Sequence, residues 1–133
     1  MMTLRRRWRV IYYETQSGAC PVARFLDGLE RRARAKTLAA IDLLEEEGAE
    51  PRRPYADYLR DGIYELRVRV STTRYRVLYF FCDRTDIVLA HAIVKESARV
   101  PKAEIDRAVR CMEDWIGRRH EDPQGVPRER AQG

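Results

Sequence analysis

Four arginines lie close together in residues 63–81, a segment in which Glu65 is the only acidic residue. On both sides of positions 71–72 the chain alternates polar and apolar side chains, as β-strands with one buried face do. Burying both apolar sets on one face of the resulting hairpin requires opposed residue numbers with an odd sum, and a two-residue loop at Ser71-Thr72 satisfies this. The predicted register then brings four guanidinium groups together on the other face, with Arg67 opposite Arg76 and Arg69 opposite Arg74.

This cluster of positive charge indicates an anionic ligand, because like charges directly opposite each other destabilise a sheet. A guanidinium group donates two hydrogen bonds to phosphate oxygens and stays charged at any relevant pH. It can also stabilise the extra negative charge of a pentacoordinate phosphorane. We therefore predict a phosphodiester site with Arg76 as the main transition-state ligand, Arg67 on a flanking phosphate, and Arg69 and Arg74 binding RNA. The alternative is a solvated face with the arginines extended into water.

An acid–base group must come from elsewhere, because arginine is a poor base. His91 is the only histidine within the predicted fold, and histidine is the side chain that changes charge near neutral pH. It lies in the middle of a predicted strand, so the alternative is a packed, hydrogen-bonded histidine. Lys95 is four residues after His91, so it lies on the same face of the strand. It ends that strand, where it either contacts another flanking phosphate or stays solvated. Arg99 completes the set of RNA-binding candidates.

The elements that must position these side chains can be predicted from the spacing of apolar residues and from turn residues. Pro51, Pro54 and Asp61-Gly62 predict that residues 49–62 form a connection. In chain order, the predicted elements are a strand at 8–13, a helix from Pro21, a helix from about Ala33 to Glu47, strands at 63–70, 74–81 and 87–94, and a helix opened by Pro101. The fold class is therefore α+β: an N-terminal strand and helical hairpin, then a three-stranded antiparallel meander and a C-terminal helix. We expect one domain over residues 1–118 and a disordered tail over residues 119–133.

Length and composition favour some classes of protein over others. The chain has 133 residues, which suits one domain, and a net charge of +5, which suits a polyanionic partner such as nucleic acid. It has no apolar run long enough for a membrane span and no apolar segment behind its charged N-terminus. Three cysteines without a CxxC pair and only two histidines favour neither disulfides nor a metal site. We expect a cytoplasmic protein that needs no metal or other cofactor and no membrane.

Several short pieces occur in an order that is specific to one family. They are residues 21–29 (PVARFLDGL), 59–67 (LRDGIYELR), 75–81 (YRVLYFF) and 91–97 (HAIVKES), followed by Pro101, Glu104, Ile105 and Ala108. In this succession the chain resembles the RelE/ParE superfamily of type II toxins, in its phage-derived, HigB-like branch. The resemblance spans roughly residues 8–116.

The resemblance implies a small toxin that a cognate helix-turn-helix antitoxin holds silent and that cleaves messenger RNA on the ribosome. In such nucleases the 2′-hydroxyl attacks the adjacent phosphate, and basic strand residues bind and polarise that phosphate without a metal or small-molecule cofactor. Arg67 and Arg76 match the basic residues of the two hairpin strands, and Lys95 matches the first lysine of the family's "KKt" piece. Glu96 stands where the second basic residue is expected, and the C-terminal tyrosine that assists catalysis in some RelE members has no counterpart, since no tyrosine follows Tyr79.

Three functions remain open at this point. The first is a ribosome-dependent RNA endonuclease, in which Glu65 or Glu96 could supply a base. The second is a ParE-like inhibitor that binds DNA gyrase without catalysis, and the third is a degenerate domain that retains only antitoxin binding. The four arginines favour the first function, whereas Glu96 and the missing tyrosine weaken it.

Overall fold

A computed structural model describes residues 8–48 and 55–121, and of residues 120–121 it describes only the backbone. The predicted tail from residue 122 onward and the start of the predicted connection, residues 49–54, lie outside the described residues. The elements in chain order are β1 (Arg9–Tyr12), α1 (Pro21–Asp27), α2 (Arg31–Glu47), β2 (Ala56–Arg60), β3 (Ile63–Val70), β4 (Thr73–Cys82), β5 (Asp86–Lys95) and α3 (Lys102–Glu121).

Five strands form one sheet in the order β1-β5-β4-β3-β2. All neighbouring pairs are antiparallel except β1 and β5, which run parallel. The predicted α+β fold class is confirmed, and the antiparallel meander contains one strand more than expected, because β2 lies in the segment predicted as a connection. Its turn to β3 is Asp61-Gly62, where both residues have positive φ (53° and 87°), and an Asp-Gly pair is a strong signal for a tight hairpin.

Local capping sets the ends of the helices. Pro21 starts α1 at a position where the missing N–H has no helical partner. The Glu30 carboxylate accepts hydrogen bonds from the backbone N–H groups of Arg32 (3.2 Å) and Ala33 (3.1 Å), so α2 starts at Arg31, before the predicted position. The last helix runs to Glu121 and thus includes residues 119–121, which follow the predicted end of the domain.

The sheet is covered by helices on both faces. On one face α1 and α2 bury an apolar cluster with members such as Leu26, Leu44 and Tyr79. On the other face α3 covers a second cluster that includes Leu78, Phe80, Val88, Ile105 and Ala108. We call this second side the α3 side of the sheet. Among the described helices, none is long and apolar enough to cross a membrane.

Candidate functional site

The turn between β3 and β4 determines which residues oppose each other. The strands pair with Arg67 opposite Arg76, Arg69 opposite Arg74 and Val70 opposite Thr73, as the sequence predicted. The two-residue loop at Ser71-Thr72 is also confirmed, with Ser71 in the left-handed region at φ 57°. Directly opposite residues share a face, so all four arginines lie on the α3 side, beyond the apolar rows.

A β-bulge in β5 brings further polar residues to the same face. Tyr79 pairs with Leu89, but Leu78 pairs with His91, so the register shifts by one residue at Ala90. After this shift His91 and Lys95 lie on the α3 side; an unbroken register would have put Ala92 opposite Arg76 and Val94 opposite Arg74. Bulges often redirect side chains next to functional sites. We call the set formed by Glu65, Arg67, Arg69, Arg74, Arg76, His91 and Lys95 the arginine face.

Glu65 binds the two arginines at the centre of this face. Its Oε1 accepts a hydrogen bond from Arg76 Nε (3.1 Å), and its Oε2 accepts from Arg67 Nε (3.0 Å) and lies 2.9 Å from Arg67 Nη2. The Glu65 side chain is 7% exposed and that of Arg76 is 9% exposed. One buried carboxylate therefore offsets the repulsion between the two guanidinium groups and fixes both through their Nε edges.

The Arg76 guanidinium is fixed by hydrogen bonds, and its Nη2 can still donate to a ligand. Its Nη1 donates to the backbone oxygen of Tyr75 (3.0 Å), and its Nη2 has no partner among the described residues. Burial lowers the pKa of Arg76, and the nearby Glu65 carboxylate opposes that shift. The group lies in a polar layer with Glu65 and outside the apolar clusters, so Arg76 is not extended into water. A fixed cation of this kind suits binding of a developing negative charge.

A second carboxylate reaches Arg67 from β2. Asp57 lies opposite Glu65 in the register of β2 and β3, and its Oδ2 accepts from Arg67 Nη2 (3.3 Å). Sequence analysis missed Asp57 because it placed this segment in a connection. The Asp61-Gly62 pair, which begins four residues further on, was the signal that could have located the strand.

The row nearest the turn consists of positively charged residues alone. Arg69, Arg74 and Lys95 oppose one another across three strands, and within the described residues none of the three forms an ion pair. Arg69 Nε donates only to the backbone oxygen of Ser71 (3.1 Å). Burial and then the positive charges of Arg76 and Arg74 lower the pKa of Lys95. Uncompensated positive charge at this end of the face favours an anionic ligand.

His91 forms a hydrogen bond with the last helix, α3. Its Nε2 lies 2.6 Å from Oε1 of Glu104, in the first turn of α3, and its side chain is 15% exposed. An ionised carboxylate can only accept hydrogen bonds, so Nε2 is the donor in this contact, and in the neutral imidazole the lone pair is then on Nδ1. Glu104 was noticed in the sequence only as part of a family pattern, because contacts between a helix and a distant strand leave no spacing signal.

A comparison at the level of protein families matches residues 24–113 to the family described as phage derived protein Gp49-like (DUF891). The chain belongs to this family. Gp49-like proteins are a toxin-like family of the RelE/ParE type, which implies an antitoxin partner. A comparison with curated proteins finds no match.

Two charged residues that the sequence put forward stand apart in this Gp49-like protein. Arg99 and Glu96 are exposed between β5 and α3, and within the described residues neither side chain has a hydrogen bond or ion pair to the arginine face. Glu65, the other acidic candidate, has both oxygens occupied by arginines, which suits a positioning role better than that of a base. No group of three or more His, Cys, Asp or Glu side chains that could hold a metal occurs in the described part of the chain.

Proposed function

We propose that this protein is the toxin of a toxin–antitoxin pair, of the HigB-like branch, and that it cleaves messenger RNA on the ribosome. The arginine face carries the proposal. It combines a fixed, buried guanidinium with a row of three cations that have no ion pair within residues 8–48 and 55–121, an arrangement that fits one reacting phosphate and the phosphates that flank it.

In the proposed reaction, the 2′-oxygen bonds to phosphorus while the bond from phosphorus to the 5′-oxygen breaks. The products are a 2′,3′-cyclic phosphate and a 5′-hydroxyl end. His91 Nδ1 accepts the proton of the attacking 2′-hydroxyl and later returns it to water, and water supplies the proton that the 5′-oxygen takes up. Arg76 Nη2 binds the phosphorane oxygens, while Arg67 and Lys95 hold flanking phosphates.

The test is induction of the protein in cells, followed by mapping of messenger RNA ends and by a supercoiling assay with purified gyrase. We expect new 5′-hydroxyl ends within translated messages and unchanged supercoiling. Blocked supercoiling with intact messages would replace the proposal with the gyrase-inhibitor alternative. Growth without either effect would indicate a degenerate domain that retains only antitoxin binding.

Glu104→Gln tests how His91 is positioned. The change removes the charge that orients the imidazole, so we expect the rate constant of cleavage to fall about tenfold with little change in KM. Single-turnover cleavage of a ribosome-bound message measures both quantities. Glu113→Gln makes the same change at an exposed position of the same helix and should cleave normally. An equal loss in both variants, or a rise in KM alone, contradicts the role given to Glu104.

Arg69→Ala and Arg74→Ala test the row near the turn. Each variant should bind a single-stranded RNA more weakly, and the slope of log affinity against log salt should become shallower by about one phosphate contact. Fluorescence anisotropy over a salt series measures this slope. Arg110→Ala, at an exposed position on α3, is the control. Slopes that match the wild type in both variants would remove this row from the RNA-binding surface.

A further inference from the structure

The outward side of α2 carries its charges in a definite order. Arg31 and Arg32 lie at the start of the helix, and Asp42 and Glu46 lie near its end. All four side chains are exposed, and within the described residues none has a hydrogen bond or ion pair. This surface lies across the sheet from the arginine face, so an inference from it is independent of the proposed function.

This charge order opposes the helix macrodipole. The N-terminal end of a helix favours acidic side chains and its C-terminal end favours basic ones. In α2 no acidic residue lies in the first turn and no basic residue in the last, although Glu30 caps the N-terminus. Both ends of the helix are therefore destabilised by their own charges, and a partner with complementary charges would offset that effect.

Small and apolar residues separate the two charged ends. Leu38 is 38% exposed, and Ala35 and Ala39 beside it are exposed as well. With 3.6 residues per turn, the stripe that runs outward along α2 consists of Arg31, Ala35, Leu38 with Ala39, Asp42 and Glu46. The stripe is basic at one end, apolar in the middle and acidic at the other end.

We propose that α2 packs against α2 of a second copy of this chain, antiparallel, about a two-fold axis between Leu38 and Ala39. Because Arg31 and Glu46 are spaced evenly about that point, the rotation brings Arg31 against Glu46 of the second copy, and Glu46 against its Arg31, while Asp42 faces Ala35. Leu38 of each copy then packs on Ala39 of the other. One patch complements itself in this way, as the interface of a two-fold dimer must.

A second copy fits this stripe better than other partners do. A nucleic acid would approach Arg31 and Arg32 but would be repelled by Asp42 and Glu46 at the other end. A foreign helix would need the same charges in reverse order, which an identical antiparallel helix has by symmetry. One helix from each copy buries less than the roughly 1,600 Å² of a standard interface, so we expect weak association with a Kd of about 10–100 μM.

Two charge reversals and their mixture test the dimer by sedimentation equilibrium of the full chain, between about 5 and about 500 μM. The wild-type mass should rise with concentration from 15.7 kDa toward twice that value, less so at high salt because exposed ion pairs are screened. Arg31→Glu alone and Glu46→Arg alone should each weaken association about tenfold or more, since each creates two like-charged pairs. An equimolar mixture of the two variants restores both opposite-charge pairs and should associate like the wild type.

The melting temperatures of Arg31→Glu and Glu46→Arg show whether a loss of association comes from misfolding. Both reversals place charges in agreement with the macrodipole, so neither should lower the melting temperature. Arg110→Glu changes the net charge as Arg31→Glu does, but on α3, and should dimerise normally. A wild-type chain that stays at 15.7 kDa throughout the range would overturn the proposal and leave this surface to an antitoxin helix or another partner. Failure of the mixture to recover association would overturn it as well.

Discussion

Replacement of Arg76 by alanine is expected to abolish growth arrest and to slow messenger RNA cleavage by about a hundredfold or more. Arg76 is the only arginine of the face whose guanidinium is both buried and held by a carboxylate at its Nε edge, which leaves Nη2 for the ligand. A donor fixed in a site with little water stabilises developing charge far better than a solvated one. Cleavage of a translated message, followed by primer extension, measures the loss.

The variant should remain folded, because Glu65 keeps its two contacts with Arg67 when Arg76 is removed. Thermal unfolding and binding of the cognate antitoxin both check this expectation. Arg76→Lys should restore little activity, since an ammonium group cannot contact Glu65, the Tyr75 carbonyl and a phosphate with the planar geometry of arginine. Arg110→Ala is the matched control, because Arg110 is exposed on α3 and is not part of the arginine face. Wild-type cleavage by Arg76→Ala would show that another group stabilises the transition state.

The opposed arginine pairs could be predicted from the sequence because the strict alternation of residues 64–70, the alternation of residues 74–77 and a two-residue turn agree on one register that buries both apolar sets. The partners of these arginines could not. Arg74 and Arg76 both lie on β4 between β3 and β5, but Arg76 is further from the turn and bonds to the buried Glu65, whereas Arg69 and Arg74 near the turn stay exposed. Alternation assigns all four the same environment, and the contact with Glu65 and the distance from the turn distinguish them only in the structure.

The bulge in β5 is a second feature that the sequence does not reveal, and it determines which face His91 and Lys95 occupy. In a regular strand His91 and Lys95 would share one face with Ile87 and Leu89, because side chains two residues apart lie on the same side. Ile87 and Leu89, however, are buried under α1 and α2. The bulge at Ala90 separates the two pairs. It is a single extra residue in a run of small and apolar residues, without the glycine or proline that would mark it.

Replacement of Glu65 by alanine is expected to lower the free energy of unfolding by about 3 kcal/mol, because it leaves a buried cation without its partner beside a second cation. Glu65 is the only acidic residue that contacts Arg76 in the described part of the chain, and both side chains are almost fully buried. For a domain of this size the loss corresponds to a fall of roughly 10 °C in Tm. Denaturant and thermal unfolding measure it, with Glu113→Ala, at an exposed position, as the control.

A double variant separates the electrostatic cause from a general loss of packing. Replacing a buried ion pair by apolar side chains of similar size is often neutral or stabilising. Glu65→Leu combined with Arg76→Leu should therefore be more stable than Glu65→Leu alone, while cleavage stays as low as in Arg76→Ala. Recovery of stability without recovery of activity would mean that Glu65 neutralises a charge kept for binding a phosphate. If Glu65→Leu and the double variant unfold at the same temperature, the carboxylate contributes only packing. The claim that Glu65 neutralises the buried charge of Arg76 is then wrong.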